Sequence, residues 1–553
     1  MRRLPLIVAV LAIAACTRPY GAVPSQEQLD WQSMEMNMFC HFGPNTFTGR
    51  EWGEGTEAED IFNPTALDCR QWARTAKAAG FGGIIITAKH HDGFCLWPNP
   101  VSTHTVRESS WRGGKGDVLR ELSEACAAEG LKFGIYISPW DRNDPHYGTP
   151  EYNEVFRQTL HSALTDYGPV FEQWFDGACG EGPNGKRQEY DWPLFLGEVF
   201  ADQPHAIVFS NVGPGCRWVG NEEGSAGRTS WATFSPEKYG ATREQLPGEY
   251  WKYLNEGDAG GTQWIPSETD VSIRPGWFWK ESESGRLKSV SELLKIYYES
   301  VGRNSLLLLN VPPDTRGLIP AGDSIRLMEF RAALDKIFAE DLAAGAKVRR
   351  SGSGMTLELP GPRTFNRIVL REDVRKGQRI AEFTVEARTP GGWKEIARET
   401  TVGLKRIVLV GETRADALRI SVLSSLGRPH LGRPELYLDT VYEDPATVRA
   451  KGTVHPAAEP IVLDLGSETS CKGIYYTPIY KGEGGVILTW RLETSADGAA
   501  WTVLRENGMF DNIRNNPVRT EVELPFKARH IRLTPLTTSA DTTYGLSDFG
   551  ILQ

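Results

Sequence analysis

At 170–177 the chain reads Val-Phe-Glu-Gln-Trp-Phe-Asp-Gly, a pattern that predicts a buried strand ending in the carboxylate of Asp176. Side chains alternate along a strand, so Glu172, Trp174 and Asp176 share one face. Gly177 and Ala178 follow at once and would leave room for a ligand at that carboxylate. Asp before Gly is also a common turn pair. What favours chemistry over a plain turn is that other strand-like runs end in polar groups too. His41 closes the run Met-Phe-Cys-His-Phe-Gly, His90 and His91 close Lys-His-His-Asp-Gly, and Tyr136 lies near the end of Gly-Ile-Tyr-Ile-Ser-Pro-Trp. In a parallel (β/α)8 barrel, polar residues at C-terminal strand ends converge on one pocket.

Two chemistries fit such a set. The first is glycosidic bond cleavage, in which one carboxylic acid protonates the leaving oxygen and a second carboxylate acts at the anomeric carbon. Asp176 is the candidate nucleophile. The Gly-rich loop Arg-Trp-Val-Gly-Asn-Glu-Glu-Gly at 217–224 offers Glu222 or Glu223 as its partner, although a solvated acidic loop would read the same. The second is a metal site built from His41, His90, His91 and Asp92. Neighbours on a strand point to opposite faces, so His90 and His91 are expected not to share an ion, and no HxH or HxxxH spacing accompanies them. Hydrogen bonding to a hydroxylated ligand is therefore the preferred reading, with no metal and no cofactor.

The elements that would position these groups alternate. Strand-like runs fall at 36–42, 83–88, 132–138, 170–176 and 206–210, with helical patterns at 67–79, 117–129 and 151–167 between them. Gly80, Gly130 and Gly168 stand where helix-ending glycines belong, and Asp117 is a candidate N-cap. The runs Ile84-Ile85-Ile86 and 306–309 are apolar without alternation, as strands buried on both faces must be. A last strand is expected at 305–310 and a closing helix at 321–339. The Gly-rich stretch 212–285 yields no clear strands. Beyond Ala344 short alternating strands and turns take over, so the expected architecture is α/β: a (β/α)8-type barrel at 26–345 followed by two β-sandwiches, at 346–445 and 446–553.

Length and composition agree with several ordered domains: 553 residues, 40% apolar, with 17 Trp whose faces suit sugar rings as well as cores. A net charge of −10 and the lack of long Lys/Arg runs speak against a nucleic-acid partner. Residues 1–16 combine a basic start, an apolar stretch and the box Ile-Ala-Ala-Cys, a bacterial export signal in which Cys16 would be lipidated. The expected location is then periplasmic or outer-membrane, with membrane contact only through that lipid. Thr17 in place of Asp favours the outer membrane. The other cysteines, at 40, 69, 95, 126, 179, 216 and 471, are odd in number and show no CxxC spacing, so neither a disulfide framework nor a metal knuckle is expected.

Five motifs in one order carry a resemblance. His41-Phe-Gly43, Glu51-Trp52-Gly53, Lys89-His90-His91-Asp92-Gly93-Phe94, Trp174-Phe175-Asp176-Gly177 and Ser272-Ile273-Arg274-Pro275-Gly276-Trp277-Phe278 together resemble glycoside hydrolase family 29, the retaining α-L-fucosidases. The resemblance implies that Asp176 is the nucleophile. It implies that His41, Glu51, Trp52, His90, His91, Tyr136 and Trp174 form the fucose pocket, with the face of Trp52 or Trp277 against the C5 methyl. The stretch ending in Glu222 resembles the subfamily acting on α-1,3/1,4-linked fucose, which implies Glu222 as acid/base and a Lewis-type fucosylated oligosaccharide as substrate; Glu223 leaves that position open by one. A broad-specificity α-L-fucosidase, or a fucose-binding protein without catalysis, are the alternatives. The last block resembles discoidin, or coagulation-factor type C, sandwiches.

Overall fold

The computed structural model describes residues 20–245, 250–444 and 452–553. The export segment with Cys16, and the expected junction of the two sandwiches near 445, lie outside them. No described helix is long and apolar enough to cross a membrane.

Among the described residues eight parallel strands close a barrel: Met36–Cys40, Gly83–Lys89, Lys132–Ile137, Val170–Trp174, Ile207–Ser210, Cys216–Trp218, Ser267–Ser272 and Leu306–Asn310, numbered one to eight below. Each pairs with the next, and the first pairs with the eighth (Met36 with Leu307, Met38 with Leu309). Alternation explains why their sequences look uniformly apolar. Ile84 and Ile86 on strand two face the helical shell, where they pack with Trp72 and Leu119, while Ile85 points into the barrel with Phe39, Tyr136 and Phe209. Leu307 and Leu309 divide from Leu306 and Leu308 in the same way.

The helices stand close to their expected places. Cys69–Ala79 and Val118–Glu129 end on Gly80 and Gly130 in left-handed backbone, and the Asp117 carboxylate accepts the Arg120 amide at 3.0 Å as N-cap. Glu151–Thr165 stops two residues short of its expected end, with Asp166 rather than Gly168 as its cap residue. Ala321–Ile337 is the closing helix.

Two barrel strands were not legible. Strand six is three residues long and comprises Arg217 and Trp218, which the sequence pattern assigned to a loop. Strand seven, Ser-Glu-Thr-Asp-Val-Ser, is entirely buried yet almost wholly polar. It is tolerated because most of its polar atoms are partnered: Ser267 and Thr269 bond the Ser305 hydroxyl at 2.9 and 2.8 Å, Glu268 accepts from Trp174 at one oxygen and Asp270 from Trp218, both at 2.9 Å. The expected strands one and four also run two residues too long, so His41 and Asp176 sit on the loops just beyond them.

Two antiparallel sheet domains follow. The first, from Lys347 to Tyr437, folds long strands such as Gly354–Leu370 over a core that includes Leu357, Phe365 and Ile368. The second has a five-stranded sheet with strands Ile461–Thr477, Ile487–Ser495, Thr502–Met509, Thr520–Thr538 and Asp548–Leu552 around Ile474, Trp490 and Ile531. All described cysteines are unpaired, and Cys179 alone of them is not fully buried.

Candidate active site

The loops after the strands enclose a cavity of about 600 Å³ lined by ten of the residues singled out from the sequence, His41, Glu51, Trp52, His90, His91, Tyr136, Trp174, Asp176, Glu222 and Trp277, but not by Asp92 or Glu223. A larger cavity of about 920 Å³ lies at the other end of the barrel, beside Glu35, Asn304 and the first sheet domain. It opens at the N-terminal ends of strands one and eight, where barrels place stability and not chemistry.

Asp176 is held at both oxygens. The Ala178 amide donates to Oδ1 at 2.7 Å and the Tyr136 hydroxyl to Oδ2 at 2.9 Å. The Asp-Gly turn is therefore real, and it is also what aims the carboxylate. A Cβ at Gly177 would come within 2.7 Å of the Asn211 side chain, so a larger residue here would have to displace that amide. Tyr136 is buried, and burial together with the Asp176 charge pushes its phenol well up, so it remains a proton donor to the carboxylate.

The histidines form a cluster on one side. The rings of His90 and His91 are 4.1 Å apart and both line the cavity. The expectation that these neighbours diverge fails because strand two ends at Lys89, and strand alternation stops with it. Burial lowers all three imidazoles: His41 to about 3, His91 to about 4, and His90 well below the usual range. They are neutral at physiological pH and suited to pairing with hydroxyl groups. For His41 the tautomer follows from its partner. Asn310 spends its amide N–H groups on Ser272 and the Trp277 carbonyl (2.9 and 2.8 Å), so its Oδ1 accepts Nδ1–H of His41 at 3.0 Å. Nε2 of His41 is left as an acceptor.

Trp277 ties the other side together. Its backbone N–H donates to Glu51 Oε2 at 2.8 Å, and its indole N–H donates to Glu222 Oε2 at 2.7 Å. Glu51 also pairs with Lys280 at 2.9 Å. The turn carrying Trp277 is anchored by Arg274, which grips Asp323 of the closing helix through two bonds of 2.7 and 2.8 Å, both side chains being buried. Below, Trp174 stacks on Phe209 at 3.9 Å and donates to Glu268. Glu268 sits in the barrel centre with Glu172 and Cys216, where burial pushes both carboxyls up.

The loop after strand six separates the two candidate glutamates. Glu222 enters the cavity, while Glu223 turns away to pair with Lys481 of the second sheet domain at 3.0 Å. Burial holds the Glu222 carboxyl well above the usual carboxylate range, and the negative charge of Asp270 adds to this. The N–H groups of Trp277 and Asn512 oppose the shift, and the charge of Asp176 adds a smaller upward push. Asp270 itself is pushed up by burial.

Several lining groups escaped the sequence reading: Trp140, Arg142, and from the second sheet domain Met509, Asn512, Arg514 and Asn515. Trp140 stands just beyond strand three, and that position was the available signal; Asp270, also on the wall, lies within strand seven, whose polar sequence gave none. Nothing local marks Asn512.

A sequence profile described as Alpha-L-fucosidase matches residues 19–336, and one described as F5/8 type C domain matches residues 439–548. Alpha-L-fucosidase 1 of Arabidopsis thaliana is 41% identical over 456 residues, 76% of this chain and 88% of the plant protein. The solved structure of a glycoside hydrolase 29 family member from an unknown rumen bacterium superposes with a TM-score of 0.73 at 36% identity, covering 97% of this chain and 100% of that one. A putative alpha-L-fucosidase from Bacteroides ovatus gives 0.72 at 39% identity, with 96% and 95% covered. With eight strands closing one barrel and Asp176 and Glu222 bordering one cavity at its C-terminal end, the chain belongs to glycoside hydrolase family 29 and is an α-L-fucosidase.

Proposed function

We propose that the enzyme is a retaining exo-α-L-fucosidase that removes α-1,3/1,4-linked fucose from branched, Lewis-type glycans by double displacement. The observation that carries this reading is the pair Asp176 and Glu222 on one cavity, the second with its carboxyl pushed well above the usual carboxylate range by burial and by the charge of Asp270. In the first step an Asp176 oxygen bonds to C1 of fucose as the C1–O bond to the aglycone breaks. The Glu222 proton passes to the departing oxygen. In the second step Glu222, now a carboxylate, takes a proton from water whose oxygen bonds to C1. The ester to Asp176 breaks, restoring both groups.

Neutral His41, His90 and His91 hold fucose hydroxyls, and Trp52 or Trp277 covers the C5 methyl. The α-1,3/1,4 preference is supported by the Arg-Trp-Val-Gly-Asn-Glu stretch. Its glutamate lines the cavity. Product analysis on defined 1,2-, 1,3- and 1,4-linked fucosylated oligosaccharides, with the first-formed fucose anomer read by NMR, tests both claims. Initial release of the β-anomer overturns the retaining mechanism, and equal release from all three linkages replaces the Lewis-type preference with broad specificity. For location, the pattern of residues 1–16 supports export and lipidation at Cys16; a Cys16→Ala protein should then leave the membrane fraction.

A further inference from the structure

The second sheet domain reaches into the cavity. Between strands Thr502–Met509 and Thr520–Thr538 its chain turns through a loop that Phe510 and Ile513 anchor in that domain's core. Asn512 stands at the tip with φ 53°, a left-handed conformation that asparagine tolerates. Its Oδ1 accepts from Asn515 Nδ2 at 3.3 Å, which turns its own amide N–H toward Glu222 Oε2 at 2.8 Å. Asn516 Nδ2 bonds the Pro275 carbonyl at 2.7 Å, on the turn that carries Trp277, and Lys481 pairs with Glu223. The domain is thus fastened to the barrel on both sides of Glu222. Met509, Arg514 and Asn515 continue the cavity wall outward, and Arg514 makes no hydrogen bond or ion pair with the described residues.

We propose that this loop completes the active site: Asn512 is a positioning residue for the Glu222 carboxyl, and Met509, Arg514 and Asn515 form the wall that receives the saccharide leaving fucose. Two N–H donors, from Trp277 and Asn512, occupy the same carboxyl oxygen, Oε2. Its lone pairs are engaged, so the transferable proton resides on Oε1. Without Asn512 the carboxyl group can rotate and exchange the roles of its oxygens. Arg514 offers a fork of N–H donors that suits vicinal hydroxyl groups on the departing sugar.

This inference rests on Glu222 being the acid/base, and the experiment separates the two. The full-length enzyme is assayed with a dinitrophenyl fucoside, whose leaving group needs no proton, and with a fucosylated trisaccharide. Asn512→Gly keeps the left-handed backbone and removes the amide, and Asn512→Asp keeps the shape while replacing the donor. Both should lower kcat/KM for the trisaccharide about tenfold, the scale of one lost hydrogen bond to a charged group, and lower that for the dinitrophenyl fucoside much less. In both, the alkaline limb of kcat/KM should move to higher pH, since the carboxylate has lost a donor. Arg514→Ala should raise KM for the trisaccharide at least threefold more than for the aryl substrate. If Glu222→Ala discriminates between the substrates while the Asn512 variants treat both alike and leave the alkaline limb in place, the loop has no such role. If Glu222→Ala does not discriminate, the acid/base reading itself fails, and the inference falls with it.

Discussion

Replacing Glu222 by alanine removes a half-buried carboxyl group that faces the cavity and is held on one oxygen at 2.7 and 2.8 Å. Proton transfer by a positioned group contributes about 10²- to 10⁴-fold, or roughly 3–5 kcal/mol of barrier. The full loss should appear in kcat/KM for an oligosaccharide, whose departing oxygen must be protonated. For a dinitrophenyl fucoside kcat/KM, which reports the first step, should fall by less than about tenfold. The kcat for that substrate should still drop, because hydrolysis of the fucosyl-Asp176 ester lacks its base. Azide needs no base and can enter the space left beside Trp277 and Asn512. It should therefore raise kcat and yield fucosyl azide of the substrate's own α configuration. Glu223→Ala is the matched comparison. That variant breaks only a half-exposed ion pair with Lys481, worth less than about 1 kcal/mol, and should show neither leaving-group selectivity nor azide rescue. Equal losses on both substrates for Glu222→Ala, or the selective pattern appearing in Glu223→Ala, would refute the assignment.

Asp176→Ala should reduce turnover by at least about 10⁴-fold while calorimetry still detects fucose binding, since His41, His90 and His91 all remain on the cavity wall; retained turnover would remove Asp176 as nucleophile. Asp270→Asn takes a negative charge from beside Glu222, so the glutamate loses its proton more readily and the alkaline limb of kcat/KM should move to lower pH; an unchanged limb would mean that burial alone raises the group. Asp323→Ala leaves the Arg274 guanidinium buried without its carboxylate and should cost about 3–5 kcal/mol in urea unfolding followed by Trp fluorescence, and a loss under about 1 kcal/mol would contradict that account.

How far the sequence could be read follows from the range of the interactions involved. Strands one to five and eight announce themselves because each is a short apolar run bounded by helix caps and turns, and such signals lie within a few residues. The same local order places His41, His90, His91, Tyr136, Trp174 and Asp176 at strand ends, and barrel geometry then brings those ends together. Strand seven carries no such signal. Its Glu268 and Asp270 can be buried only because Trp174 and Trp218 arrive from other strands to donate to them. Divergence of His90 and His91, argued from alternation, fails where the strand stops at Lys89. The choice between Glu222 and Glu223 is made by partners distant in sequence: Trp277 and Asn512 hold one in the cavity, while Lys481 draws the other out. Local pattern thus specifies which backbone segments exist and what stands at their ends. Which carboxyl keeps its proton depends on burial and on charges and donors that meet it only after the barrel has closed and the last domain has docked.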